Sequence, residues 1–225
     1  AYPASQSGAS GVIFAAGAAG KNLTEWQYGL ASVKPRWNVS GTYMQALPRL
    51  ISTDAAGNDA REFLSDYLPP AAVPDAVFLK GYQWPFDTAK LNGGSSLVDL
   101  AVYMETTRKG RRVFLDFTQN PAGLDARFSA LSEPAYTYLQ KAGALFGTPY
   151  ERLVHMNAPA VAFYREKGVD LRTQMLEIAL CAQHNNGGAD VDRWWQSSLR
   201  GLFVIGEAAG THGVCRPGGS ALNAG

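Results

Sequence analysis

Strand-forming sequence stands at both ends of this chain with helix-forming sequence between, and that order constrains the fold more than any other feature. Near the start, "SQSGASGVIFAAGAAGKN" leads small residues and glycines into an apolar run and a Gly-Lys-Asn stop, which predicts a short, closely packed helix. "NLTEWQYGL" and "WNVSGTYMQALPRLIS" are rich in aromatic and β-branched residues and predict two extended segments ending at the turn "DAAGND". "DAREFLSDYL" then changes to helical spacing through Phe63, Leu64, Tyr67 and Leu68, until "PPAAVP" interrupts it.

The middle of the chain reads as mostly helical. "SSLVDLAVYMETTRKG" offers Ser95 or Ser96 as N-cap, an apolar stripe at Leu97, Leu100, Val102 and Met104, and Gly110 as the stop. "RRVFLDF" predicts a brief strand, and "DARFSALSEPAYTYLQKAG" and "TPYERLVHMNAPAVAFYREKG" predict further helices broken at prolines. "QMLEIALCA" and "GLFVIGE" then read as buried strands, with "VDRWWQSSLR" between them. The expectation is an α+β fold in three segments: 1–69 and 176–225 forming one sheet-containing domain, and 70–175 a mostly helical cap.

Composition narrows the function. With 46% hydrophobic and 17% charged residues in 225, the chain can bury a core, and a net charge of +1 provides no field to hold nucleic acid or an anionic membrane. The basic run Arg108, Lys109, Arg111 and Arg112 reads as a solvated helix end followed by an exposed strand start. No apolar run is long enough to span a membrane, so no direct membrane insertion is expected. Two cysteines, Cys181 and Cys215, make no disulfide scaffold and read as inert; with no secretion signal present, a cytoplasmic location is expected. His155, His184 and His212 lack metal-ligand spacing, and no metal is predicted. Tyr150, Tyr164 and the pair Trp194-Trp195 read as packing residues.

The chemistry concentrates in "GLFVIGEAAGTHGVCRPGGSALNAG", residues 201–225. A strand ends on Glu207, a glycine-rich loop follows, and "SALNAG" resembles the first turn of a helix. Ligands gather at the carboxyl end of a strand, glycines permit close backbone approach, and a helix start presents unpaired N–H groups. Arg216, between Cys215 and "PGGS", is the candidate to grip a carboxylate through a bidentate pair. A cofactor-free module that captures an anion on this loop is the competing reading.

This stretch resembles the second flavin-binding segment of the succinate dehydrogenase and fumarate reductase flavoprotein family, through Gly201-Leu202-Phe203, Gly206-Glu207, His212-Gly213, Arg216 and Gly218-Gly219 in order. "SGASGVIFAAGAAGKNLTEWQYG" is similar to that family's glycine-rich turn near the flavin, "REFLSDY" to its Arg-Phe-acid-Tyr stretch, and "CAQHNNGG" to its histidine and Gly-Gly turn. The resemblance implies an FAD-binding domain flanking a cap that helps hold the substrate. It implies that Glu207 contacts the sugar-like part of FAD, that Ala221 and Leu222 offer backbone N–H groups to the isoalloxazine, and that Gly8, Ser10, Gly11 and Ser220 line the cofactor. Arg216 would be catalytic and would hold the substrate carboxylate beside flavin N5, with His212 shaping the loop and Gly219, Gln183 and His184 at the substrate.

Departures refine this. A dinucleotide fold also needs a first strand, a G-x-G-x-x-G turn and an acid about 20 residues on, none of which occurs here. The chain is therefore expected to be a piece of a longer flavoprotein, inactive alone and holding FAD weakly or not at all. Where the family carries histidine four residues before its Gly-Gly pair, this chain has Gln183, with His184 one position later; where the family has Gln-Phe-His, it has Gln27-Tyr28-Gly29. No arginine precedes Met104 on the segment that carries the family's proton donor. Fumarate reduction needs hydride at one carbon and a proton at the other. The expectation is thus hydride transfer between FAD and a carboxylate-bearing organic substrate outside strict succinate/fumarate specificity, with an electron-transfer partner the sequence does not identify.

Overall fold

The structure is a computed structural model that describes residues 9–211. Its elements run α1 (Ala9–Ala15), β1 (Gly20–Lys21), β2 (Trp26–Ser32), β3 (Trp37–Asn38), α2 (Thr42–Gln45), β4 (Arg49–Thr53), β5 (Arg61–Glu62) and α3 (Val73–Tyr82). They continue with α4 (Ser96–Tyr103), β6 (Arg112–Asp116), α5 (Glu133–Lys141), α6 (Pro149–Glu166), β7 (Leu176–Asn185) and β8 (Gly188–Ala189). The fold is mixed α+β: a six-stranded sheet in the order β3-β2-β7-β6-β4-β5 and a two-stranded ribbon of β1 and β8. The chain divides into two compact units, 29–181 and one that joins 9–28 to 182–211, so β2 and β7 each contain a point of division.

In unit 29–181, β6 lies between β7 and β4, antiparallel to both, with Leu115 opposite Leu50 and Leu176. Its "VFLD" is buried throughout, which is why the segment reads as an apolar run and not as an alternating strand. Val77, Val98, Val102, Val113, Leu153, Tyr164 and Ile178 join one core. A second cluster unites Leu47, Phe78, Phe128, Ala135 and Leu139. Helix α6 opens on a capping box in which the Thr148 hydroxyl accepts from the Glu151 N–H and the Glu151 carboxylate accepts from the Thr148 N–H. It kinks at Asn157 (φ −157°, ψ 70°), two residues before Pro159. Proline supplies no N–H and crowds the preceding turn; Asn157 compensates by accepting from the Ala160 N–H at 3.2 Å and donating to Thr42 Oγ1 at 2.8 Å.

Several sequence expectations need correction. The stretch 37–52 is not continuously extended: α2 interrupts it, and Leu47 at φ 57° turns the chain into β4. Residues 60–68 form β5 and a single 3₁₀ turn over Leu64–Asp66 in place of a helix, because Arg61 and Glu62 pair with Ser52 and Ile51. "GLFVIG" is not a buried strand. Gly201 (φ 84°) and Gly206 (φ 64°) bend it at both ends, one isolated bridge joins Phe203 to Gln196, and Phe203 and Ile205 are 57% and 72% exposed. On α4 the buried face is Val98, Ala101, Val102 and the following Glu105, while Leu100 is exposed; Ser95 occupies the N-cap position without a side-chain cap bond.

The basic run after α4 is not simply solvated. The helix continues as a π-type turn over Met104–Arg108 that carries Glu105 into the interior, fully buried. Ser52 donates to Glu105 Oε2 at 2.6 Å, Lys109 and Tyr67 donate to Oε1 at 2.5 and 3.2 Å, and Arg111 and Arg61 stand 3.4 and 3.9 Å from Oε2. Arg112 grips Glu177 bidentately at 2.9 and 2.7 Å. These cations are occupied by carboxylates of their own unit.

Glu105, Asp116 and Glu177 are among the carboxyls that titrate below their ordinary values. Burial pushes Glu105 up from 4.5, but hydrogen bonds from Lys109, Ser52 and Tyr67 outweigh it. At Asp116 burial is likewise outweighed by Arg49 and Thr118, and Glu177 is lowered first by its bonds from Arg112. A depressed folded value means that the native state binds fewer protons, so the stabilisation is complete above the ordinary values of 3.8–4.5 and is lost as pH falls through the folded ones. Through these groups the urea midpoint is expected to decline below about pH 4, whereas Asp99, pushed up to about 6, acts in the opposite sense and adds stability as pH falls from 7 to about 5. Glu105→Gln should flatten that decline while lowering the neutral plateau; an unchanged acid slope would contradict the assignment.

Candidate functional site

The unit of 9–28 and 182–211 carries every predicted site residue that the structure describes. Its frame is the β1–β8 ribbon, with Gly20 opposite Ala189 and Lys21 opposite Gly188. The Gly187-Gly188 turn and the chain after Glu207 are pressed backbone to backbone. A Cβ at Gly188 would lie 2.2 Å from the Ala208 carbonyl oxygen and 2.7 Å from the Gly210 nitrogen; one at Gly210 would lie 2.6 Å from the Lys21 oxygen. One at Gly187 would meet the Asn22 carbonyl oxygen at 2.4 Å. Glycine is required at all three, since no side-chain carbon fits so close to a carbonyl.

Hydrogen bonds lock the arrangement. Gly210 N–H donates to Ala189 O at 2.8 Å, Asn22 Nδ2 donates to Gly210 O at 3.0 Å, and Asp190 N–H donates to Ala19 O at 2.8 Å. Asn185 Oδ1 accepts from Gly187 N–H at 2.7 Å while its Nδ2 donates to Leu23 O at 2.8 Å, which fixes the turn. Behind the ribbon Ala189, Val204 and Ala209 are buried, joined by Ile13 of α1, Val191, Trp195 and Leu202. Trp195 is thus a packing residue, whereas Trp194 is 68% exposed with Arg193 over its ring.

Glu207 stands in the 3₁₀ turn Gly206–Ala208, and its Oε1 lies 2.9 Å from Nε2 of His184 near the end of β7, an ion-pair distance without hydrogen-bond alignment. Both side chains are part exposed, 33% for His184 and 41% for Glu207. Gln183 precedes His184 on the same strand, half-buried. Ser10 and Gly11 are exposed residues of α1, and among the described residues nothing stands within 4 Å of a Cβ placed at Gly11. Gly8, His212, Arg216, Gly219, Ser220, Ala221, Leu222 and Cys215 lie outside the described residues.

The structure therefore brings together two of the predicted residues, His184 and Glu207, and joins their motifs through Gly188 and Gly210. A carboxylate held beside an imidazole accepts hydrogen bonds from hydroxyl groups, and the imidazole limits which way it turns. Among the described residues no three His, Cys, Asp or Glu side chains are placed to hold a metal ion, and no helix is long and apolar enough to cross a membrane.

Sequence reasoning missed the buried charges of unit 29–181: Lys80 with Asp99, Arg152, and Glu105 with its cations. Only the last left a local signal, the four-residue spacing of Glu105 and Lys109.

Comparison with known proteins relates the chain, over part of its length, to one component of an oxidoreductase. Across 60 residues, 26% of the chain, it is 42% identical to a subunit of the fumarate reductase (CoM/CoB) of Methanothermobacter marburgensis. The match spans 11% of that relative's length. No protein-family model matches the chain.

Proposed function

We propose that this chain belongs to an FAD-dependent oxidoreductase that moves hydride between the flavin and a carboxylate-bearing organic substrate. The observation that carries the proposal is the 42% identity over 60 residues to a subunit of a fumarate reductase. The order of glycines, Glu207 and Arg216 in the last 25 residues supports it.

The described residues fit the cofactor at one point. Glu207 is part exposed and keeps acceptor capacity beyond the oxygen that faces His184, which suits the hydroxyl groups of the sugar-like part of FAD. His184 would hold that carboxylate in orientation, and the Gly188–Gly210 contact would fix the start of the loop that follows. Bound FAD would supply a two-electron carrier exchanging hydride at N5. Arg216 would clamp the substrate carboxylate in two parallel hydrogen bonds, with Ala221 and Leu222 giving backbone N–H groups to the ring system. The absence of an arginine ahead of Met104 favours a substrate other than succinate or fumarate.

In the protein that contains this chain, Arg216→Ala is expected to lower kcat/KM about a hundredfold while leaving flavin content unchanged. Undiminished turnover would remove Arg216 from the site, and a flavin-free wild-type protein would leave an anion-binding module in place of an enzyme.

A further inference from the structure

Helices α3 and α5 leave a groove between them in unit 29–181, lined by Phe78, Leu79, Tyr82 and Gln83 on one side and Pro134, Thr137, Tyr138 and Lys141 on the other. The α5 residues fall at i, i+3, i+4 and i+7, one face of the helix. The cavity measures about 370 Å³, within the range of small-molecule sites.

Three rings shape it. Phe78 is buried, with Tyr138 edge-on at 5.4 Å between centroids and Tyr82 nearly parallel at 6.5 Å and 20°. Tyr138 is held from behind by donating its hydroxyl to Gln45 Oε1 at 3.2 Å. Tyr82 is 65% exposed, so its ring is available to a ligand. Aromatic walls of this kind favour a flat ring, in offset or edge-to-face contact.

The polar groups select charge. None of the lining residues is acidic, and Lys141 at the rim makes no ion pair among the described residues. Rings also attract cations, but an ammonium group already at the mouth repels a second one. Gln83 and Thr137 add hydrogen-bonding capacity beside it.

We propose that this groove binds a small planar aromatic anion, its ring against Tyr82 and Tyr138, which the buried Phe78 supports, and its carboxylate paired with Lys141. The site does not rest on the oxidoreductase reading.

The test is calorimetric titration of the protein with 2-naphthoate, 2-naphthylmethanol and 2-naphthylmethylammonium, which share a ring system and differ in charge. Saturable one-to-one binding is expected, with the carboxylate about fivefold tighter than the alcohol and the ammonium weakest. Lys141→Gln should abolish the advantage of the carboxylate, and Tyr82→Ala should weaken carboxylate and alcohol alike by about tenfold. Both side chains are exposed, so circular dichroism should show unchanged folding. Thr137→Trp, which fills the groove, should eliminate binding. Absence of saturable binding, preference for the ammonium, or a carboxylate advantage that survives Lys141→Gln would each overturn the proposal.

Discussion

Asp99→Ala is expected to destabilise the protein by about 3–5 kcal/mol, because it leaves the Lys80 ammonium buried without a counter-charge. Lys80 and Asp99 are 1% and 0% exposed and form an ion pair between α3 and α4. The other Asp99 oxygen, Oδ1, has no hydrogen-bond partner among the described residues. Burial pushes Asp99 up to about 6 against the pull of Lys80, and lowers Lys80 against the pull of Asp99. Loss of hydration outweighs attraction on both sides, which marks a pair that adds little net stability and cannot lose one member cheaply. The double variant Lys80→Met with Asp99→Leu should accordingly lie within about 2 kcal/mol of the wild type, or exceed it. Urea unfolding of the three proteins decides the matter. A single variant costing under about 1 kcal/mol would show that Lys80 finds water or sheds its proton.

Arg152→Met should cost about 3 kcal/mol or more. Arg152 is 0% exposed, and its guanidinium donates to Ala46 O at 3.0 Å, Phe146 O at 2.8 Å, Gly147 O at 2.7 Å and Asn120 Oδ1 at 2.7 Å. It also lies 5.4 Å from the centre of the Phe128 ring. Burial lowers it to about 10, which leaves it charged at neutral pH. Methionine preserves much of the volume, so the loss reports on stranded acceptors more than on a cavity. Lysine should restore less than half, since one ammonium cannot match a planar fork spread over four oxygens. A methionine variant within about 1 kcal/mol of wild type would mean that these carbonyls find other donors.

The α+β class was legible because local signals agree with the fold: the apolar run of β6, the helical stretch of α6 broken near its proline and the stop at Gly110, whose φ is 65°. Where local pattern failed, a distant partner decided. Residues 61 and 62 are extended because β4 pairs with them, and α4 turns Val98 inward because the core lies on that side. Lys80 and Asp99 are 19 residues apart on separate helices, a relation no periodicity displays. At the candidate site, motif order named His184 and Glu207, but only the fold shows them 2.9 Å apart and joined by glycines whose contacts exclude any side chain.

The most direct measurement is the flavin content of the full-length protein that carries this sequence, read from its visible spectrum and from nucleotide released on denaturation. The account predicts one FAD per polypeptide, held about tenfold more weakly when Glu207 is replaced by alanine. A colourless protein that releases no FAD would contradict it.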